Sequence, residues 1–288
     1  MSLNIAVMGS GSWGTAIAQV LADSERAHHV VVWGRNKKTI DEINEHHTNS
    51  TFHPGIELPH QIAATTNAEQ ALAKAEVVVL AVPAQTLREN LKNWGRHIPK
   101  TAIVVSLLKG FERGTHAMMS QVIREELGIG EDRIAVATGP NLAGEIIKRE
   151  PAAVVIACAK EEVAVELQDA FATAYFRPYT STDVVGCEVA GTIKNVMALA
   201  VGMASGLGMG DNTKATVITR GLAETMRLGV ALGADPITFA GLAGMGDLVA
   251  TCSSPLSRNR SFGERLGKGL TLSQAQSETK TTAEGVSS

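Results

Sequence analysis

The sequence predicts an α/β protein in which an N-terminal doubly wound sheet, residues 1–182, is followed by an all-helical C-terminal domain, residues 183–288. Short apolar runs alternate with helical stretches as far as residue 179, and a glycine-rich turn links the first run to the first helix. Beyond residue 183 only helical periodicity remains. A chain of 288 residues is long enough for two domains, each with a core of ordinary size.

Residues 3–8 form an apolar run ending at Gly9 and read as a buried strand; 12–22 follow as helix and 29–33 as a second strand. The turn between the first strand and its helix is Gly9-Ser10-Gly11-Ser12-Trp13-Gly14. A strand before it and a helix after it are the setting in which this pattern binds a dinucleotide, in a Rossmann-like domain. Gly9 makes the tight turn, Gly11 lets backbone approach a pyrophosphate, and Gly14 lets the helix pack closely on the strand. The helix N-terminus supplies oriented N–H donors. The competing reading is a purely structural strand-to-helix turn.

The second strand bears on cofactor choice. An NAD-type site places Asp or Glu about 20 residues beyond the fingerprint, but this chain has Trp33-Gly34-Arg35-Asn36. A guanidinium at Arg35 can pair with a 2′-phosphate, which favours NADP, with NAD still open because arginine also stacks on adenine.

The alternation continues with helix at 37–47, a loop at 48–59, a strand at 61–65, a short helix at 67–74 and an apolar strand at 76–82. Helix at 84–94, strand at 101–107, helix at 116–127 and strand at 133–138 follow, closed by the turn Gly139-Pro140-Asn141. Strands at 152–157 and 176–179 flank a helix at 161–173 and extend the sheet. Ligands in such sheets bind beyond the carboxyl ends of the strands. Gly9–Gly14, Arg35, Pro83, Lys109 and Gly139–Asn141 are therefore expected on one rim.

A formal charge of −3 without a basic stripe excludes a nucleic-acid footprint. Three cysteines, Cys158, Cys187 and Cys252, lie far apart, with no metal-ligand spacing. Their odd number and apolar neighbours suggest reduced thiols. The N-terminus enters LNIAVMGSG without a basic leader, and the expected location is cytoplasmic. The apolar run 184–207 is interrupted by Glu188, Lys194 and Asn195, which argues against a membrane span.

That run organises the second half of the chain. At helical pitch Cys187, Ala190, Gly191, Lys194, Met197, Ala198 and Val201 share a stripe. Lys194 is its only charge. An ammonium there costs free energy unless it is paired or sheds its proton; the alternative is a lysine that snorkels past small neighbours. Helices follow at 212–232, 236–242, 246–252 and 258–268. Asp247, after Gly-Met-Gly, reads by itself as a favourable charge in a first helical turn. Ser257 is placed to cap the helix opening at Arg258. Positive charge at a helix N-terminus is unfavourable without an anion, so Ser257-Arg258-Asn259 is a candidate anion site.

Taken together, the motifs resemble the bacterial NAD(P)-dependent glycerol-3-phosphate dehydrogenases over nearly the whole chain. The resemblance rests on GSGSWGTA at 9–16, LKGFE at 108–112, GPNLA at 139–143 and EVAGTIKNV at 188–196. It continues through LAGMGDL at 242–248, TCSSPLSRNR at 251–260 and AEGV at 283–286. It implies a Rossmann domain, a helical C-terminal domain and a homodimer interconverting dihydroxyacetone phosphate and sn-glycerol 3-phosphate. By position, Lys194 matches the catalytic acid/base, with Asp247 orienting it or binding a substrate hydroxyl. Lys109, Gly139, Asn141, Asp247, Ser257, Arg258 and Asn259 match positions that hold the phosphorylated substrate. Ser12, Trp13, Arg35, Lys109, Ala143, Arg258 and Glu284 match positions near the cofactor. Asn141 stands where many members have a small hydroxyl residue. Members also continue with more helix after the segment equivalent to Glu284-Gly285, which implies a missing tail or an unusually short protein. A 3-hydroxyacid or 6-phosphogluconate-type dehydrogenase and a nonenzymatic NADP sensor are the rival readings; the SRNR end without an obvious carboxylate clamp disfavours the hydroxyacid version, and the buried-stripe lysine the sensor.

Overall fold

A computed structural model describes residues 2–278 and 284–286. In chain order the first half contains β1 (Asn4–Met8), α1 (Ser12–Ala22), β2 (His29–Trp33), α2 (Lys37–His46), β3 (Ala63–Thr65), α3 (Ala68–Leu72), β4 (Val77–Leu80), α4 (Leu87–Trp94) and β5 (Ile103–Ser106). Then come α5 (Met119–Leu127), β6 (Ile134–Thr138), α6 (Ala143–Ile146), β7 (Ala152–Cys158), α7 (Glu161–Phe171) and β8 (Phe176–Ser181). The helical part is α8 (Val184–Gly206), α9 (Asp211–Ala231), α10 (Pro236–Ala240), α11 (Asp247–Ser253), α12 (Arg258–Gly267) and α13 (Leu272–Ser277).

The chain forms two compact units. Unit 1 comprises residues 1–108, 119–137 and 143–182, and unit 2 comprises 109–118, 138–142 and 183–288. Unit 1 carries one eight-stranded sheet in the order β3-β2-β1-β4-β5-β6-β7-β8. The pairs β1–β2, β2–β3, β1–β4, β4–β5 and β5–β6 are parallel, as strands joined through helices are expected to be. Strand order reverses at β1, whose neighbours β2 and β4 go opposite ways through the sheet. Such a switch point is where doubly wound sheets bind ligands. Val77–Leu80 are wholly buried because helices cover both faces of the sheet.

Glycines set the geometry at the switch point. Gly9 ends β1 with φ 141°, and a Cβ there would sit 2.5 Å from the Ala81 carbonyl oxygen just past β4. A Cβ at Gly14 would overlap the Gly9 carbonyl oxygen. Only glycine permits both the backbone angle and this approach of α1.

Unit 2 is built around α8. Its apolar length would suffice to cross a membrane, but most of it is buried. Asp183 caps it, accepting from the Gly186 N–H at 2.8 Å, and also accepts from the Asp235 N–H and the Thr238 hydroxyl. Against α8 lies α12, with backbones in direct contact. A Cβ at Gly202 or Gly206 would overlap the carbonyls of Arg260 and Glu264, and one at Gly263 or Gly267 those of Leu199 and Met203. Four glycines on two faces thus replace a side-chain layer.

Some expected boundaries move. The helix expected at 116–127 begins at Met119, because Phe111 and Met118 bridge and His116 takes a left-handed φ of 59°. The expected helices at 236–242 and 246–252 are separated by a π-helical turn, Leu242–Gly246, that runs directly into α11. Sequence reading also passed over α6, too short for a period, and α13, which opens with a Thr271–Gln274 capping box.

Gly202→Ala tests the α8–α12 contact. Alanine is the better helix former by about 1 kcal/mol, but overpacking against rigid backbone costs about 1–3 kcal/mol. The denaturant midpoint therefore falls; an unchanged or raised midpoint shows that the helices can separate freely.

Candidate active site

Within unit 2, Lys194 and Asp247 meet. Both are buried, and the Lys194 Nζ donates to Asp247 Oδ1 and, at 2.9 Å, to Thr251 Oγ1. Lys109 Nζ donates to the other carboxylate oxygen, Oδ2, at 2.8 Å. The Thr251 hydroxyl lies 3.3 Å from Asp247 Oδ1, so it closes the group. Asp247 and Thr251 are four residues apart on α11 and share one face. Leu248 and Cys252 pack on Ala198 and Val201 of α8, which fixes α11 against the helix carrying Lys194. The stripe of small residues has a role here. A Cβ at Gly191 would come within 3.6 Å of Lys109 Cγ and 2.8 Å of Thr138 Oγ1, so glycine clears the path of the Lys109 stem.

The electrostatics follow from burial. Desolvation pushes the Lys194 ammonium down; the Lys109 charge acts in the same direction and Asp247 opposes it, leaving the pKa at about 7. Burial would raise the Asp247 carboxyl, but the two lysines outweigh it and hold it below the ordinary carboxylate range. Asp247 is thus an anion with two cations, not merely a charge in a first helical turn. The π-helical turn before it takes away the free helix start that the sequence suggested. Cys252, on the same helix, has its thiol pushed up to about 12 by burial and stays protonated.

The anion candidate lies at the start of α12. Ser257 is buried and its Oγ accepts from the Arg260 N–H at 3.3 Å, the expected cap. Arg258 is exposed and, among the described residues, pairs with no acid. Asn259 behaves differently from a free ligand. Its Nδ2 donates to Asn195 Oδ1 at 3.0 Å, and its Oδ1 accepts from the Gly285 N–H at 2.9 Å. The side chain ties α12, α8 and the 284–286 turn together. The Glu284 side chain lies outside the described residues. Gly139, with φ 150°, and half-buried Asn141 belong to a turn beside the π-helical segment; Pro140 Cδ is 3.9 Å from where a Gly246 Cβ would sit.

In unit 1, Gly11 caps α1 without any side-chain hydrogen bond, and a Cβ at Gly11 would meet nothing within 4 Å. Ser10, Ser12 and Trp13 are half-buried around it. The open helix end and the clear space at Gly11 fit a pyrophosphate. Arg35 is exposed beyond β2 and, among the described residues, has no ion pair. Ala143 begins α6. No cluster of three or more metal-ligating side chains occurs among the described residues. Sequence reading missed Thr251, Asn195, Asn49 and His53. For Thr251 the signal was its i,i+4 spacing from Asp247; the other three depend on contacts far along the chain.

The chain resembles known proteins over most of its length. Residues 4–164 match the N-terminal, and 183–288 the C-terminal, family description of NAD-dependent glycerol-3-phosphate dehydrogenase. The chain is 58% identical over 283 residues to the glycerol-3-phosphate dehydrogenase [NAD(P)+] of Streptomyces griseus, covering 98% of this chain and 84% of that one. It is likewise 58% identical over 285 residues to the protein of the same name from Corynebacterium diphtheriae, covering 99% and 86%. A crystal structure of glycerol-3-phosphate dehydrogenase from Coxiella burnetii superposes with a TM-score of 0.93 at 33% identity, covering 99% of this chain and 86% of that one. The chain belongs to the NAD-dependent glycerol-3-phosphate dehydrogenase family.

Proposed function

We propose that the protein is an NAD(P)-dependent oxidoreductase that interconverts dihydroxyacetone phosphate and sn-glycerol 3-phosphate, the backbone of phospholipids. The buried Lys109–Asp247–Lys194–Thr251 group carries the reading. An ammonium has three donors, and Asp247 and Thr251 take up two of those on Lys194. The third remains for the substrate carbonyl oxygen. Protonated Lys194 polarises that carbonyl and gives up its proton as the C2 alkoxide forms; neutral Lys194 takes it back in the reverse direction. Asp247 holds the ammonium in place. Burial, helped by the Lys109 charge, offsets the carboxylate, so that Lys194 is not locked in its charged form. Arg258 and the start of α12 hold the substrate phosphate and so fix the carbonyl.

Gly9, Ser10, Gly11, Ser12, Trp13 and Gly14 would hold the cofactor pyrophosphate and Arg35 a 2′-phosphate, which makes NADP the favoured cofactor with NAD accepted. Ala143, Lys109, Arg258 and Glu284 complete the proposed cofactor contacts, and Gly139 and Asn141 those of the substrate. When bound, the reduced nicotinamide supplies the hydride received at C2. Residues 1–182 are proposed as the cofactor-binding domain and 183–288 as the substrate and catalytic domain. A homodimer is supported by exposed Met226, Leu228, Val230 and Leu232 on and just past α9. Buried free thiols at Cys158, Cys187 and Cys252 suit a reducing cytoplasm.

The primary test is NADPH oxidation with dihydroxyacetone phosphate against unphosphorylated dihydroxyacetone; equal rates would remove the substrate reading. Lys194→Met keeps length and stem but no proton, so kcat falls by at least about 10²–10⁴-fold while NADPH affinity holds. Turnover within a few-fold of wild type makes Lys194 structural. Reduction needs the protonated lysine, so kcat/KM for reduction declines as pH rises through about 7, and oxidation gains over the same range. Lys109→Met removes a neighbouring cation that lowers the Lys194 pKa, so the declining limb moves to higher pH. An unmoved limb separates the two lysines.

Arg258→Ala raises KM for dihydroxyacetone phosphate but not for dihydroxyacetone. A variant that still prefers the phosphorylated substrate as strongly as wild type puts the phosphate elsewhere. Arg35→Ala weakens NADPH by roughly 1.5–3 kcal/mol, the worth of a charge-assisted bond, and NADH far less. Equal effects on the two cofactors would show that Arg35 reads no 2′-phosphate.

A further inference from the structure

The loop between α2 and β3 reaches back to the fingerprint turn. A bridge between Thr48 and Glu57 closes its base. Inside it, the Phe52 and His53 N–H groups both donate to the Asn49 carbonyl, at 3.1 and 2.8 Å, making a single helical turn. That turn puts Asn49 and His53 four residues apart on one side, and both are buried. Asn49 Nδ2 donates to the Ser10 carbonyl at 3.1 Å and to Thr15 Oγ1 at 2.8 Å. His53 Nε2 lies 2.8 Å from the Ser12 carbonyl. A carbonyl only accepts, so that nitrogen carries the hydrogen. The amide orientation of Asn49 is fixed in the same way, and its Oδ1 is left buried with no partner among the described residues. An unpartnered buried acceptor is costly; the residue is placed for its donors.

The consequence follows from peptide geometry. In a trans peptide the C=O and the following N–H point in opposite directions, and no cis bond occurs among the described residues. Holding the Ser10 carbonyl on Asn49 turns the Gly11 N–H away from the loop. Holding the Ser12 carbonyl on His53 does the same for the Trp13 N–H at the uncapped end of α1. We propose that Asn49 and His53 are positioning residues for the cofactor pyrophosphate, pinning these two carbonyls so that the Gly11 and Trp13 N–H donors stay turned toward phosphate.

The proposal rests on the fingerprint turn being the cofactor's phosphate site. Its test compares three ligands on the full chain: NADPH, 2′-phospho-ADP-ribose and 2′-AMP, the last lacking the pyrophosphate. His53→Leu weakens the first two about five- to tenfold, as expected for one neutral hydrogen bond, and leaves 2′-AMP within about twofold. His53→Gln, which restores a donor, recovers most of the loss. If His53→Leu does not fold, His53→Met, also without a donor, gives the same comparison. Unchanged NADPH affinity, equal weakening of all three ligands, or no recovery with glutamine overturns the proposal. A wild-type chain that binds no NADPH removes the cofactor reading itself, and the proposal with it.

Discussion

A carboxylate held between two ammonium groups, almost out of reach of water, is the interaction on which the helical unit of this protein depends. Asp247 is 1% exposed and accepts from Lys194 on one oxygen and Lys109 on the other. Burying three charges is unfavourable in itself, and removing one partner of such a group typically costs about 3–5 kcal/mol because the others are left uncompensated. The arrangement persists because each charge has a geometric reason to be there. Lys109 satisfies the second oxygen of Asp247, and Thr251 gives Lys194 a second acceptor. The result is a lysine poised near neutrality: burial lowers its pKa most, Asp247 opposes that, and Lys109 lowers it further. The second cation tunes the first.

The group also needs its helices fixed. Lys194 rides on α8 and Asp247 on α11, and a small error in their spacing would separate the charged atoms. Ala198, Val201, Leu248 and Cys252 fill the space between these helices. Beside Leu199, which packs against Phe262 and Ala275, α8 meets α12 at four glycines with backbone lying on backbone. Such a contact offers no rotamer freedom, so the start of α12, with Ser257 and Arg258, is held rigidly with respect to Lys194. Asn259 adds a polar tie by bridging Asn195 and Gly285. A residue that the family resemblance assigns to substrate therefore has its amide engaged by protein.

What could be read from the sequence divides along the range of the interactions. The strand–turn–helix at 4–22 was legible almost to the residue, because Gly9, Gly11 and Gly14 act within one supersecondary unit. The Ser257 cap was legible for the same reason. Lys194 stood out because a single charge on a stripe of small residues demands a partner. Asp247 is named beside it only through the family resemblance: local reading gave it a sufficient role at a helix start, and nothing local announced the π-helical turn before it. Lys109 lies 138 residues from Asp247, and no periodicity connects them. The Phe111–Met118 bridge that shortens α5 is likewise a local fold with no sequence period.

The two kinds of site in this chain are held in place by different means, and they should differ in how they tolerate change. The fingerprint turn presents backbone donors, so its chemistry does not depend on side-chain identity there; what must be preserved is peptide orientation. That orientation is set partly by glycine sterics at Gly9 and Gly14 and partly by Asn49 and His53, which lie outside the motif. Substitutions at Asn49 and His53 therefore act gradually, by loosening a donor's direction, whereas a side chain at Gly9 or Gly14 collides with backbone. The Lys109–Asp247–Lys194 group depends on charge balance in a place without solvent. There the neighbouring charges bear on the protonation of Lys194 and Asp247, and a single replacement upsets the balance of the whole group.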